Sequence, residues 1–293
     1  MADTGERESG KGAYVKREQG ARDGCRAAGA KQEQPAGSGA GAEAPLVSIV
    51  MPAYNAVRTL PTAVESVLAQ TCGDFELLIV DDCSSDATAA AAEGYAARDG
   101  RVRFLKNPRN MGAAEARNAG VGAARGLWVA FLDSDDAWTA DKLEKQLRRA
   151  AESGGSFIFT GSAFMDAEGN RKIGVLHVPT SVTYGKLLKQ NVISCSSVLI
   201  KRELIKGYPM AGERLHEDFA VWLKILRDGE TAWGVDEPLL IYRQSAGSKS
   251  GNKWEAAKMT YRVYRYVGIG RFPAVWFWLC YVRRSLKKYS RIH

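Results

Sequence analysis

With 293 residues, 45% of them apolar, the chain can bury one substantial core or one core plus a small appendage. Five scattered cysteines, with neither CxxC spacing nor a clustered histidine, suggest neither a zinc site nor a disulfide framework, and fit a reducing, cytoplasmic setting. The formal charge of +8 does not imply a nucleic-acid partner, because nine cations from Lys258 to Arg291, with no acidic residue among them, exceed it alone and leave the rest near neutral.

Residues 1–44 are rich in Gly, Ala and balanced charge, with Tyr14 the single aromatic. Such a composition cannot offset its ordering entropy, so this segment is expected to be disordered. It lacks the apolar stretch of a signal peptide, and no apolar run in the chain approaches the ~18 residues of a spanning helix. From Leu46 the pattern changes. LVSIVMP reads as a strand, and Leu60, Val64, Val67 and Leu68 give the next stretch helical spacing, with Pro61 suited to a first turn. FELLIV over 75–80 reads as a second strand, followed by an Ala-rich helix from about Asp86. VRFLKN over 102–107, a helix over 112–125, LWVAFL over 127–132 and a helix over 139–152 complete four strand–helix alternations. Short connections and continuous apolar strands point to an α/β fold, a Rossmann-like and mostly parallel sheet with helices on both faces.

The second half is less regular: a strand in SFIFTGSAFM runs to a turn at 166–170, another lies in SSVLIK, and HEDFAVWLKILRDG reads as a helix ended by Gly229. Two helical stretches follow Asn252, the second containing FPAVWFWLCYV over 272–282. That run is too short to span a bilayer. Its aromatics and the following Arg283, Arg284, Lys287, Lys288 and Arg291 suit a helix in an anionic membrane surface, the alternative being a helix docked on the domain. The expected division is therefore 1–44, a domain over 45–252, and a helical tail over 253–293.

Ligands of open parallel sheets bind beyond the carboxyl ends of the strands. Pro52, Ala53, Tyr54 and Asn55 end the first strand, Asp81 and Asp82 the second, and Asp133, Ser134, Asp135 and Asp136 the fourth. Adjacent carboxylates repel, so Asp133 and Asp135 call for a neutralising cation, and hard oxygen ligands suit Mg²⁺ or Mn²⁺ completed by substrate phosphates. A competing reading makes this triplet an acidic turn whose Asp136 caps the next helix.

The ordered segments VSIVMPAYNA, SVLAQTCGDFELLIVDDCSSDAT, VRFLKNPRNMGAAEARNAGV, VAFLDSDDAW, HEDFAVWLKIL and LLIYRQSAGSKS give residues 45–252 a resemblance to the family 2 glycosyltransferases of the GT-A fold. The resemblance implies an inverting transfer of a sugar from a nucleotide-diphosphate donor, usually a UDP-sugar, to a glycan or lipid-linked acceptor. It puts Pro52, Ala53 and Tyr54 in the nucleobase pocket, and Asp82 on the base imide. Arg117 would sit near the diphosphate or hold the acidic triplet in place, with Asp133 at ribose and metal and Asp135 as the main metal ligand. Asp218 would be the general base, with Glu217 beside it and Trp222 near the acceptor. Cell-surface polysaccharide assembly, peripheral at the inner face of the cell membrane, is the setting it suggests. Ser245 stands where many relatives carry a histidine, leaving Arg243, Ser248 and Lys249 for phosphate. A nucleotidyltransferase lacks support because PAYNA is no Gly-rich phosphate loop, and an inactive nucleotide-sugar-binding relative is disfavoured by intact Asp82, Asp135 and Asp218. Gly120, Gly122 and Gly126 precede a strand, the wrong order for a dinucleotide fingerprint.

Overall fold

The computed structural model describes residues 44–211, 215–244 and 253–289. Nearly all of the segment expected to be disordered, and Ser245, Ser248, Lys249 and Arg291, lie outside the described residues.

β1 (Val47–Ala53), β2 (Phe75–Asp81) and β3 (Val102–Lys106) run parallel, stepping outward in one direction. β4 (Trp128–Phe131) then pairs with the opposite edge of β1, also in parallel, so the order reverses at β1. β5 (Ala137–Trp138), β6 (Phe157–Met165), β7 (Arg171–Leu176), β8 (Ser181–Val182), β9 (Leu199–Lys201) and β10 (Ala232–Arg243) complete a ten-stranded sheet. Its order is β3-β2-β1-β4-β9-β6-β10-β5, with β7 on β6 and β8 on β10. β9 lies antiparallel between β4 and β6, so the sheet is mixed beyond β4.

β1, β2, β4 and β6 are buried along their whole length, as continuous apolar runs require of strands covered on both sides. Their period of two sorts side chains onto two faces. Ile49, Met51, Leu77 and Ile79 pack with Leu60, Val64 and Val67 of the helix Leu60–Leu68 and with Leu143 of the helix Lys142–Ser153. Val50, Leu78 and Val129 pack on the other face with Ala114 and Val121 of the helix Ala113–Ala123, Trp222 of the helix Glu217–Arg227 and Tyr264 of the helix Lys253–Tyr266.

The four expected strand–helix alternations are present, with ends shifted by one to three residues. Four strands were not foreseen, β5, β7, β8 and β10. β10, twelve residues long, is interrupted in pairing between Val235 and Leu240, where Asp236, Glu237 and Pro238 break the apolar pattern.

Helix Ala113–Ala123 reaches the sheet closely at Gly120, where a Cβ would stand 2.3 Å from a Val50 methyl carbon. Gly120→Ala should therefore cost about 1–3 kcal/mol in urea unfolding, the range for overpacking a closed core. Adding Val50→Ala should recover part of that loss. Equal losses in the single and double variants would refute the close-contact explanation.

Candidate active site

At the carboxyl end of the sheet, where the strand order reverses, lies a cleft of about 420 Å³ bordered by Pro52, Ala53, Tyr54, Asn55, Asp82, Arg117, Asp133, Ser134, Asp135 and Glu217. Tyr54 is half exposed at its rim. The loop after β1 is held from the loop after β2. Asn55 donates its N–H to Ser84 Oγ (3.0 Å), its side-chain oxygen accepts from the Ser85 N–H (2.8 Å), and Asp82 donates its N–H to the Ala53 carbonyl (2.8 Å). Asn55 and Cys83 both take positive φ, 48° and 61°, sparsely populated for non-glycine residues and here secured by those bonds.

Asp81 and Asp82 divide. Asp81 is fully buried, its carboxylate facing the Ser84 N–H at 3.2 Å, and it does not border the cleft. Asp82 does border it, while its carboxylate accepts from Asn107 Nδ2 (2.7 Å) and from the Met111 and Gly112 N–H groups (2.9 and 2.7 Å). Asp82 thus also fixes the entry to the helix Ala113–Ala123. Asn107 was absent from the sequence-based set; its place directly after β3 was the available signal.

Arg117 is buried and bridges the walls: Nη2 donates to Asp133 at 2.6 Å and Nη1 to Glu217 at 3.1 Å. Burial works against its charge, but Asp133 foremost pushes its pKa up. The Asp133 N–H donates to Ser196 Oγ at 3.1 Å, tying the acidic loop to the short turn Cys195–Ser197.

Asp136 does not cap the next helix. It is buried and accepts the Arg243 N–H at 2.9 Å, and burial, with Asp135 and Asp133 adding, drives its pKa well up. Arg243, expected to serve phosphate, is buried and does not border the cleft. Its Nε donates to the Asp135 carbonyl (2.7 Å) and its Nη1 to the Ala167 carbonyl (3.0 Å), which pins the acidic loop to the turn after β6.

Asp135 is partly buried, and its carboxyl pKa is raised to about 6, first by burial and then by the neighbouring Asp133 charge. Such a carboxylate pair fits a divalent cation. Among the described residues no group of three His, Cys, Asp or Glu could enclose a metal ion, so any such ion would draw its other ligands from a phosphate or water.

Helix Glu217–Arg227 presents its first residue, Glu217, to the cleft. Asp218, half-buried, accepts from the Phe219 N–H at 2.7 Å, and burial and then Glu217 raise its pKa. It does not itself border the cleft. Trp222, expected near the acceptor, does not border the cleft: it is fully buried against Phe131 and Phe157, with ring centroids 6.2 and 4.9 Å away.

A family model of glycosyl transferase family 2 matches residues 48–203. TuaG of Bacillus subtilis (strain 168), named for a glycosyltransferase role in teichuronic acid biosynthesis, is 42% identical over 245 residues, covering 83% of this chain and 97% of TuaG. The UDP-Glc:alpha-D-GlcNAc-diphosphoundecaprenol beta-1,3-glucosyltransferase WfgD of Escherichia coli is 36% identical over 247 residues, 84% of this chain and 95% of WfgD. Among solved structures, S. aureus TarS 1-349 in complex with UDP-GlcNAc superposes with a TM-score of 0.63 at 18% identity, over 80% of this chain and 70% of that one. The mannosyltransferase PcManGT from Pyrobaculum calidifontis, in complex with GDP-Man and Mn²⁺, gives 0.60 at 16% identity, over 92% and 79%. These two establish a shared GT-A fold.

The raised Asp135 pKa has a thermodynamic consequence. Between the unfolded value near 4 and about 6, the folded chain binds more protons at this site than the unfolded one, so its stability contribution falls as pH rises through that window. In metal-free buffer, Asp135→Asn should gain on the parent from pH 4 to pH 7 by ~1–3 kcal/mol, read from urea midpoints. A difference that stays constant across this range would contradict the assignment.

Proposed function

This chain belongs to glycosyl transferase family 2, and on that premise we propose that it moves a sugar, with inversion, from a UDP-sugar to an acceptor hydroxyl during cell-surface polysaccharide assembly. One observation carries the reading: a single cleft joins the loop after β1 to the Asp133-Ser134-Asp135 triplet, with the carboxylate-bearing end of helix Glu217–Arg227 across from them. The UDP-Glc donor and diphosphoundecaprenol-linked acceptor in the name of WfgD support the same chemical classes here. Residues 45–252 form the catalytic unit in this reading, and 253–293 an appended tail. A peripheral place at the inner face of the cell membrane suits a lipid-linked acceptor.

In this proposal Pro52, Ala53, Tyr54 and Asn55 wall the nucleobase, and Asp82 receives the base imide with the acceptor capacity left beside its three backbone and side-chain donors. Asp135, with Asp133, would hold a Mg²⁺ or Mn²⁺, which when bound offsets the negative charge that develops on the leaving diphosphate. Arg117 keeps Asp133 oriented toward the donor. An acceptor hydroxyl is a weak nucleophile, so a carboxylate must take its proton as attack proceeds. Asp218 has that role, and its raised pKa makes it a better base than an ordinary carboxylate. Glu217, paired with Arg117, is a positioning residue. One base opposite one leaving group gives inversion. A retaining double displacement would need a nucleophilic carboxylate, which this reading does not assign.

Two experiments test this. Asp218→Asn keeps size and one acceptor but removes basicity, so kcat should fall by about 10²–10⁴ with little change in the donor KM. Glu217→Gln should lower kcat less; reversed phenotypes would transfer the role to Glu217, and near-parental kcat in both would remove the base from this helix. Turnover should also stop in Asp135→Ala and after exhaustive EDTA treatment, measured as UDP release across UDP-sugars with Mn²⁺ restored. Parental activity surviving EDTA would end the metal assignment.

A further inference from the structure

The apolar run over 272–282 is not buried as a unit. The helix Arg271–Tyr289 divides it between two faces. Ala274 is fully buried, Phe277 sits 6.4 Å from the Tyr264 ring, Trp278 Nε1 donates to the Ala257 carbonyl at 2.7 Å, and Tyr281 lies 6.1 Å from Phe219. That face docks on the domain. Phe272, Val275, Trp276 and Leu279 turn the other way and remain 90, 44, 63 and 52% exposed. Their spacing of three, four and seven residues places them in one stripe. Docking and membrane contact, which looked like alternatives in the sequence, therefore occupy opposite sides of one helix.

We propose that this stripe is a membrane-docking surface whose partner is the headgroup layer of an anionic bilayer. Charge complementarity selects that occupant. Arg262, Arg265, Arg271, Arg283 and Arg284 of the two C-terminal helices are exposed, and no acidic residue occurs after Glu255. An aromatic stripe flanked by cations enters the interface through its apolar side chains and holds anionic headgroups at its rim. No helix among the described residues is long and apolar enough to cross a membrane, so the surface attaches and does not span. The docked face ends at Tyr281 against Phe219, one residue from Asp218, which couples the attached helix mechanically to the end of the helix proposed to meet the acceptor. The surface itself follows from exposure and charge, and only its link to a lipid-linked acceptor rests on the reading of Asp218.

The test is sedimentation of the full chain with phosphatidylglycerol/phosphatidylcholine vesicles and with pure phosphatidylcholine vesicles. The chain should pellet with the first and far less with the second. Trp276→Ser with Phe272→Ser should lower the partition coefficient roughly tenfold or more, and Arg283→Gln with Arg284→Gln by a similar factor at low salt. Both pairs should leave vesicle-free UDP-sugar hydrolysis and the melting temperature unchanged. Parental pelleting of the aromatic pair, or negligible pelleting of the parent, overturns the proposal. So does a parent dimer in analytical ultracentrifugation that the aromatic pair converts to monomer, because the stripe would then face a second copy. Pelleting that survives in Asp218→Asn while transfer fails separates this inference from the catalytic one.

Discussion

A single buried guanidinium holds the cleft together. Arg117 stands between Asp133, at the end of β4, and Glu217, at the start of a helix one hundred residues further along the chain. Removing such a cation leaves two carboxylates facing each other in a partly dehydrated space, which costs more than the pair contributes while intact. The arrangement works only because the helix carrying Arg117 lies close to the sheet, and that closeness depends on Gly120 opposite Val50. Core packing on one face of the sheet thus sets the electrostatics at its edge.

The remaining loops follow the same principle with different groups. Asp82 gathers three N–H donors from the segment between β3 and the next helix, and Asn55 joins the loops after β1 and β2. Arg243 fastens the acidic loop to β10 and to the turn after β6. Each tie satisfies backbone groups that would otherwise be stranded at strand ends. What stays under-compensated is the pair Asp135 and Asp136, both raised in pKa first by burial and then by neighbouring carboxylates.

The first half of the fold was legible because its signals are local. Apolar runs of strand length, separated by helically spaced Leu and Val, need no knowledge of the partner strands. β10 was hidden because Asp236, Glu237 and Pro238 interrupt it, and β5 and β8, at two residues each, carry no period. The cleft-lining carboxylates were visible at strand ends, but their partners were not, since Arg243 and Asn107 act through long-range bonds that spacing does not encode. Trp222 was misplaced despite a readable signal. Phe219, Trp222, Leu223 and Leu226 recur at helical spacing and mark the core face of their helix, and all four are buried. The two-sided C-terminal helix shows the reverse case, in which an apolar run taken as one block divides by face once its packing is known.

Gly120 has a consequence for how natural variation in such chains should be read. It carries no functional group and touches no proposed ligand, yet it sets how near a charged side chain three residues earlier comes to the cleft. A genetic screen that scored transferase output would class a lesion at this position with those in the acidic loop, while a survey of chemical residue types would pass over it. Separating the two requires a suppressor that restores room, such as a smaller residue at Val50, and not one that restores charge.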